Sequence, residues 1–591
     1  MSSRILEYLL APTWLATVLL TFLLTFSCHP SQRNGTATTL PQEQSKYDKT
    51  MANWVGKIEA RLAELNRIDS AAKWKATASG RKEDYEEWTA AKLEKKRMLS
   101  DRAVFQRLRE ARAATAAATS HPGSTGDSVL ERQIEILYAA YLENQIDPSL
   151  LERTVRLSGQ IEERFNTYRT EVDGRRLTDN EVEEVLRSST DQDYRRKVWI
   201  ASKGIGKTVA QDLVGLVRLR NEAARQLGYS DYFALSLETA FLEEAPLFEL
   251  LADLAADTEE AYRKEKTALD AVLARGYRIK ATDLRPWHYE DRFFQEPPSA
   301  GSVTLDDYYR GRDVVDLAAR FYDSIGVDTR PVIARSDLYA RDGKYQHAYC
   351  ADLDRQGDVR VMASIVDSPR WMDTILHELG HAIYDIGYSG NKELPYLLRT
   401  KAHSLTTEGV AMLMGRLATN PYWMRQFVGI ADEEVTKLSA PLRDHTRRGA
   451  LVFVRWGLAL VHFERELYRN PDQDLSSLWW QIVGKYQLLT APEGRSEPDW
   501  AAKIHLTTTP VYYQSYLLGE LFAAQLHQTI AEQFFAGQDP WTVVYAGSLD
   551  VGRFLDEKVF RPGASLPWEE LVVHATGRPL GTSAFVKLYS L

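Results

Sequence analysis

The chain has 591 residues, of which 44% are apolar and 26% are charged, and its formal net charge is −9. This composition excludes an intrinsically disordered chain, and the net negative charge argues against nucleic acid as a partner. Cys28 and Cys350 are the only cysteines, which excludes a disulfide-rich scaffold, so stability must come from an apolar core.

Residues 1–28 are typical of an export segment. Arg4 precedes the uncharged stretch Tyr8–Ser27, which is long for the apolar part of a signal peptide and just long enough to span a membrane. The tetrapeptide ending at Cys28 resembles a bacterial lipoprotein cleavage box. We therefore expect an exported, membrane-tethered lipoprotein in the periplasm or at the cell surface, with a signal anchor or simple signal cleavage as alternatives. The polar tract 29–46 then predicts a tether.

Residues 47–591 show helical periodicity with no composition break strong enough to divide them, so they predict one mainly α domain. Two alternating runs interrupt the helices, Tyr345–Leu353 and Val359–Val366, and a turn-forming segment with Gly357 joins them. These runs predict a small β-hairpin.

A helix is predicted directly after the hairpin, with Ser368 as its N-cap, Pro369 in its first turn and Gly387 as its stop signal. His377 and His381 lie four residues apart on one face of this helix, where their imidazoles can bind one zinc ion, and Glu378 lies between them. The alternative is a pair of hydrogen-bonded core histidines beside a salt-bridged glutamate.

A catalytic zinc needs a third protein ligand and leaves its fourth position to water. Glu408, at the start of a second apolar helix, lies 408 − 381 = 27 residues past the second histidine and is the favoured candidate, with His403 as the rival. Structural zinc sites are closed by four protein ligands, so three ligands and Glu378 favour catalysis.

Four segments, in this order along the chain, resemble the angiotensin-converting enzyme family of zinc dipeptidyl carboxypeptidases. They are Gln346–Cys350, His377–His381, the helix of Glu408, and Lys503–His505 leading into Tyr512–Tyr516. The resemblance implies a single two-lobed, helix-rich body with a deep central channel, and it implies that helices in about residues 47–115 act as a lid. It also implies one zinc ion per chain, held by His377, His381 and Glu408, and a role for Glu378 as general base.

The family's other functional residues carry over by the same resemblance. His505 and Tyr516 are the implied donors to the oxyanion, while His347 and Ala348 are implied to hold the peptide main chain. Lys503 and Tyr513 are implied to recognise the terminal carboxylate, although Tyr512 competes with Tyr513 for this role.

Three departures from the family pattern bear on activity. Asp291 stands where the family has a glutamine that also binds the terminal carboxylate, and two carboxylates repel each other. Chloride is not expected, because Ser515 and Val483 replace chloride-binding arginines. Met412 replaces a carboxylate that supports a zinc histidine, a role that Asp385 could take over.

The sequence therefore predicts a zinc peptidyl-dipeptidase acting on short peptides. The alternatives are a zinc oligoendopeptidase that needs no free C-terminus and a non-catalytic peptide-binding protein. The sequence makes no prediction of the oligomeric state.

Overall fold

The computed structural model describes residues 39–119, 128–298 and 304–590. The predicted export segment, residues 1–28, lies outside these ranges. The chain divides into two compact units, residues 1–51 and residues 52–591. Only the start of α1 falls in the first unit among the elements below, and the candidate site belongs to the second. Within the described ranges, no helix combines the length and apolar content needed to cross a bilayer.

The described chain is mainly helical, as predicted, with two small antiparallel sheets. Its first part consists of α1 (Thr39–Ser79), α2 (Lys82–Leu99), α3 (Arg102–Thr119), α4 (Ser128–Leu142), α5 (Pro148–Thr167), β1 (Thr170–Val172), β2 (Arg175–Leu177), α6 (Asp179–Ser188), α7 (Gln192–Ser202), α8 (Gly204–Gln226), α9 (Tyr232–Thr239), α10 (Glu244–Asp257), α11 (Glu259–Tyr277), α12 (Asp306–Tyr309), α13 (Val314–Ser324) and α14 (Arg330–Arg335). Its second part consists of β3 (Tyr349–Asp352), β4 (Val359–Met362), α15 (Pro369–Gly390), α16 (Ser404–Gly415), α17 (Pro421–Phe427), α18 (Asp432–Arg469), α19 (Leu475–Tyr486), α20 (His505–Thr508), α21 (Gln514–Phe534), α22 (Leu549–Leu555), the π-helical turn Asp556–Phe560, α23 (Trp568–Thr576) and α24 (Ser583–Tyr589).

Helix α1 begins earlier than the sequence suggested, at Thr39, so it includes residues 39–46 of the predicted tether. Pro41 is compatible with the first turn of a helix, and the Gln and Glu residues that follow are good helix formers. Residues 47–115, the predicted lid, lie in α1, α2 and α3. The two lobes, the channel and the lid function stay predictions.

The predicted hairpin is present but shorter than its sequence pattern. β3 and β4 pair in antiparallel register from Tyr349↔Met362 to Asp352↔Val359. Tyr345 lies outside the sheet because its backbone N–H donates to the carbonyl of Thr77 in α1, 2.9 Å away. The segment before β3 is therefore hydrogen-bonded to a helix rather than to β4.

Helices α15, α16 and α21 approach one another closely through glycines. A Cβ atom placed on Gly380 would lie 2.8 Å from Ala411 Cα, and one on Gly519 would lie 2.9 Å from Glu408 Cβ. Real side chains do not tolerate such distances, so these positions require glycine. The close packing brings the His-Glu-x-x-His helix against the helix of Glu408.

The predicted stop at Gly387 is wrong, because α15 continues to Gly390. Gly387 instead permits a close helix contact, since a Cβ atom there would lie 2.3 Å from Phe560 Cβ. The predicted start is correct. The Ser368 side chain accepts a hydrogen bond from the backbone N–H of Trp371, and Pro369 is the first helical residue.

Candidate active site

The two histidines of α15 and Glu408 of α16 form a compact group of metal-binding atoms. His377 Nε2 and His381 Nε2 lie 3.2 Å apart. Glu408 Oε2 lies 3.6 Å from each of these nitrogens. The three predicted ligands are therefore brought together around a single point, and this is the one such group found among the described residues.

This group fits zinc. Donor atoms of a tetrahedral site with Zn–N bonds of about 2.0–2.1 Å lie about 3.3 Å apart, close to the observed spacings. Glu408 Oε2 is buried and has no hydrogen-bond partner within the described ranges. An orphaned buried carboxylate oxygen facing two imidazoles is the arrangement that a bound cation would satisfy.

Neighbouring hydroxyl groups hold two of these ligands. Thr407 Oγ1 lies 2.7 Å from His381 Nδ1, which leaves Nε2 directed at the metal position. The hydroxyl of Tyr512 donates to Glu408 Oε1 over 2.6 Å, which leaves Oε2 directed at the histidines. Sequence reasoning missed both contacts, although Thr407 directly precedes Glu408.

The rival candidates have other roles. His403 is the N-cap of α16, and its Nδ1 accepts a hydrogen bond from the backbone N–H of Leu405 at 2.9 Å. Asp385, suggested as the support for a zinc histidine, instead accepts a hydrogen bond of 2.7 Å from the hydroxyl of Tyr388. Thr407 occupies the position against His381 that the sequence assigned to Asp385.

Glu378 is buried next to the ligand group. One of its oxygens, Oε2, has no hydrogen-bond partner in the described chain. Burial, and then the charge of Glu408, raise the pKa of Glu378 to about 8, while a hydrogen bond from the backbone N–H of Cys350 opposes the shift. A carboxylate with such a pKa can both accept and return a proton near neutral pH.

His505, Tyr513 and Tyr516 form an aromatic cluster beside the ligands. The His505 ring lies 5.3 Å from the ring of Tyr513 and 6.1 Å from that of Tyr516, between centroids. Tyr512 contacts Glu408, whereas the hydroxyl of Tyr513 accepts a 2.6 Å hydrogen bond from Trp456 Nε1. The two tyrosines that the sequence could not separate thus have different neighbours.

Lys503 contacts a glutamine that the sequence analysis did not select. Its Nζ donates to Gln295 Oε1 over 2.9 Å. Asp291 instead accepts hydrogen bonds from the backbone N–H groups of Phe293 and Gln295, at 2.8 and 2.9 Å. Asp291 therefore shapes the loop and also places its charge near Lys503, while Gln295 presents an amide to Lys503. The role of Asp291 towards the terminal carboxylate stays a prediction.

The segment before β3 lies at α6. His347 Nε2 is 3.7 Å from Asp179 Oδ2, and the side chain of Gln346 accepts a hydrogen bond from the backbone N–H of Asp179. The side chain of His347 is 47% exposed, and Ala348 packs against the core. His347 and Ala348 thus directly precede β3, the strand in which the backbone N–H of Cys350 donates a hydrogen bond to Glu378.

Metallopeptidases use a glutamate between two helix-borne histidines to activate water, with a third ligand from a later helix. Fold and site together place the protein in the zinc metallopeptidase class. A model of Peptidase family M3 matches residues 185–591, which is more than half of the chain. The chain belongs to peptidase family M3.

The curated relatives support the resemblance to angiotensin-converting enzyme. The chain is 21% identical to the angiotensin-converting enzyme of Theromyzon tessulatum over 429 residues, covering 68% of each protein. It is 25% identical to that of Rattus norvegicus over 452 residues, covering 70% of this chain but only 33% of the relative. The chain thus spans about a third of the length of the rat relative.

Proposed function

We propose that the protein is a peptidyl-dipeptidase that binds one zinc ion per chain and releases dipeptides from the carboxyl end of short peptides. The observation that carries this proposal is the pair formed by Lys503 and Gln295 beside Tyr513. An ammonium, an amide and a hydroxyl at one place are suited to a carboxylate. Lys503 lies two residues before His505 in the sequence, so this pair is next to the proposed oxyanion donor.

The aromatic rings around Lys503 support its proposed role in binding the terminal carboxylate. Its Nζ lies 5.1 Å from the Trp456 ring centroid and 5.4 Å from those of Tyr513 and Phe293. Lys503 is 8% exposed. Burial lowers its pKa to about 8, and the charge of Asp291 opposes that shift, so the ammonium remains charged at neutral pH. A substrate carboxylate would pair with this ammonium beside the three aromatic rings.

Proton transfer falls to Glu378 in this proposal. Zinc, when bound by His377, His381 and Glu408, would polarise the scissile carbonyl and lower the pKa of a water molecule toward about 7. Glu378 takes a proton from the attacking water at its free Oε2 and returns it to the leaving amine. The hydrogen bond from Cys350 N–H keeps this carboxylate oriented.

His505 and Tyr516 supply hydrogen bonds to the oxyanion. Burial lowers the pKa of His505 well below its usual value, so the imidazole is neutral and donates from one nitrogen. Burial also raises the pKa of Tyr516 well above its usual value, so its hydroxyl stays protonated. Both groups can therefore donate to an oxygen that gains negative charge. His505 Nδ1 is buried and lacks a partner within the described residues.

The test compares matched synthetic peptides with free and amidated C-termini, with and without a chelator, using mass spectrometry to identify the products. We expect dipeptides from the free acid only, and loss of this activity with chelator or in Glu378→Gln. Glu393→Gln, at an exposed position, is the matched control. Equal internal cleavage of both peptides would identify an oligoendopeptidase. Zinc binding without any cleavage would identify a peptide-binding protein.

We also propose that the chain is exported and held at a membrane through lipid on Cys28. The uncharged stretch Tyr8–Ser27 and the residues before Cys28 support this. Metabolic labelling with palmitate in a bacterial host should label the wild-type protein and leave Cys28→Ala unlabelled. An unlabelled wild-type protein that is still found outside the cytoplasm would contradict the lipid anchor but not export.

A further inference from the structure

One face of α15 is accessible, and it carries more than the metal ligands. Between residues 371 and 385 every side chain is buried except those of Asp373, Thr374, His377 and His381. These positions follow helical spacing, so they form a single stripe. Asp373 lies on that stripe one turn before His377, about 5–6 Å along the helix axis.

Within the described ranges, the carboxylate of Asp373 forms neither a hydrogen bond nor an ion pair. It lies over Gly415, where an added Cβ atom would be 3.3 Å from both carboxylate oxygens. The glycine therefore leaves space for the side chain without supplying a donor to it.

The other charges around Asp373 are already paired. Arg416 forms an ion pair of 2.5 Å with Glu520, and Arg370 forms one with Glu183. Burial raises the pKa of Asp373 to about 6, and the charge of Arg416 opposes that rise, so the group is still ionised at neutral pH. An ionised and partly buried carboxylate without a partner is costly, and a cation from outside would relieve that cost.

Asp373 lies close to Glu296, on the loop that carries Gln295. Burial, and then the charges of Asp291 and Asp373, raise the pKa of Glu296 to about 8. Glu296 is therefore mostly uncharged at neutral pH, and Arg370 lies 3.9 Å from it, which leaves Asp373 as the carboxylate without an ion pair at this place among the described residues. In the proposed reaction, the two residues released from the substrate would occupy the region between His377 and the Lys503 pocket.

We propose that Asp373 makes the enzyme prefer a basic residue directly after the cleaved bond, which is the penultimate residue of the substrate. Lysine carries its ammonium at the end of a four-carbon stem, a reach of about 6 Å that matches one helical turn from His377. Arginine would place a guanidinium at a similar distance. This inference rests on the proposed dipeptide release.

The test uses three free-acid peptides that differ only in the penultimate residue, which is lysine, acetyl-lysine or glutamate. Acetyl-lysine keeps the stem of lysine but has no charge. We expect kcat/KM for the lysine peptide to exceed that for the acetyl-lysine peptide about tenfold, as one charge-assisted hydrogen bond would produce. The glutamate peptide should be the slowest of the three.

Asp373→Asn should bring the ratio of the lysine and acetyl-lysine peptides close to one. Asp444→Asn, which removes the same charge from an exposed position on α18, should leave the ratio at its wild-type value. If Asp373→Asn does not fold, the wild-type ratio is measured at increasing ionic strength, where it should decrease.

Equal rates for lysine and acetyl-lysine peptides in the wild-type enzyme would overturn the inference and leave dipeptide release intact. A ratio that survives Asp373→Asn, or that is insensitive to salt, would also overturn it. Failure to release dipeptides from all three peptides would instead contradict the proposed function.

Discussion

Replacing Lys503 with glutamine removes the ammonium of the proposed carboxylate pocket and retains a polar side chain. In the variant, a substrate carboxylate would have only Gln295 and Tyr513 as donors, in a pocket bordered by Trp456 and Phe293. A hydrogen bond between charged groups contributes about 1.5–3 kcal/mol. We therefore expect kcat/KM for free-acid peptides to fall about 10- to 150-fold, because 1.4 kcal/mol corresponds to tenfold.

The assay measures kcat/KM for one peptide sequence as free acid and as C-terminal amide. The loss should appear with the free acid alone, so the preference for the free acid should shrink by the same factor. Lys437→Gln, at a position whose side chain is 68% exposed, should match the wild-type enzyme on both peptides. Equal losses on acid and amide, or no loss on the acid, would refute the assignment of Lys503 to the terminal carboxylate.

Three further outcomes are expected. Burial lowers the pKa of Lys503 to about 8, so Lys503 loses its charge above that pH and KM for free-acid peptides should rise. The pH profile of Lys503→Gln should not show this rise. Thr407→Val removes the hydroxyl that lies 2.7 Å from His381 Nδ1, so it should weaken zinc binding about 10- to 100-fold. Competition with a chromophoric chelator measures this affinity, and an unchanged value would count against the contact. Gly519→Ala should lower the free energy of unfolding by about 1–3 kcal/mol, because its methyl group would lie 2.9 Å from Cβ of Glu408. The control is Gly276→Ala, which has open space around it and should leave the melting temperature unchanged or higher.

Short-range sequence signals were sufficient to predict the start of α15 and the placement of its two histidines. Ser368 and Pro369 define the start of α15, and the spacing of His377 and His381 places both imidazoles on one face of it. The N-cap, the proline and the four-residue interval depend only on neighbouring residues, so the sequence alone could predict them. Glu408 required the further assumption that α16 packs against α15.

Features that depend on contacts between distant segments could not be predicted in this way. Gly387 is a stop signal by local rules, but contact with Phe560 explains it instead. Gln295 reaches Lys503 because its loop turns through positive φ angles at Glu290 and Phe294, 63° and 53°, which no periodic pattern reveals. The sequence comparison selected Asp291, whose charge also acts on Lys503, but it could not find Gln295.

The glycine contacts between α15, α16 and α21 determine how close together His377, His381 and Glu408 lie. Gly380 and Gly519 hold the ligand-bearing helices at distances that no larger residue permits. The apolar side chains farther out can be exchanged for others of similar volume without moving these backbones. The size of an ion that these three side chains could hold is thus determined by a few glycines that are not themselves candidate ligands.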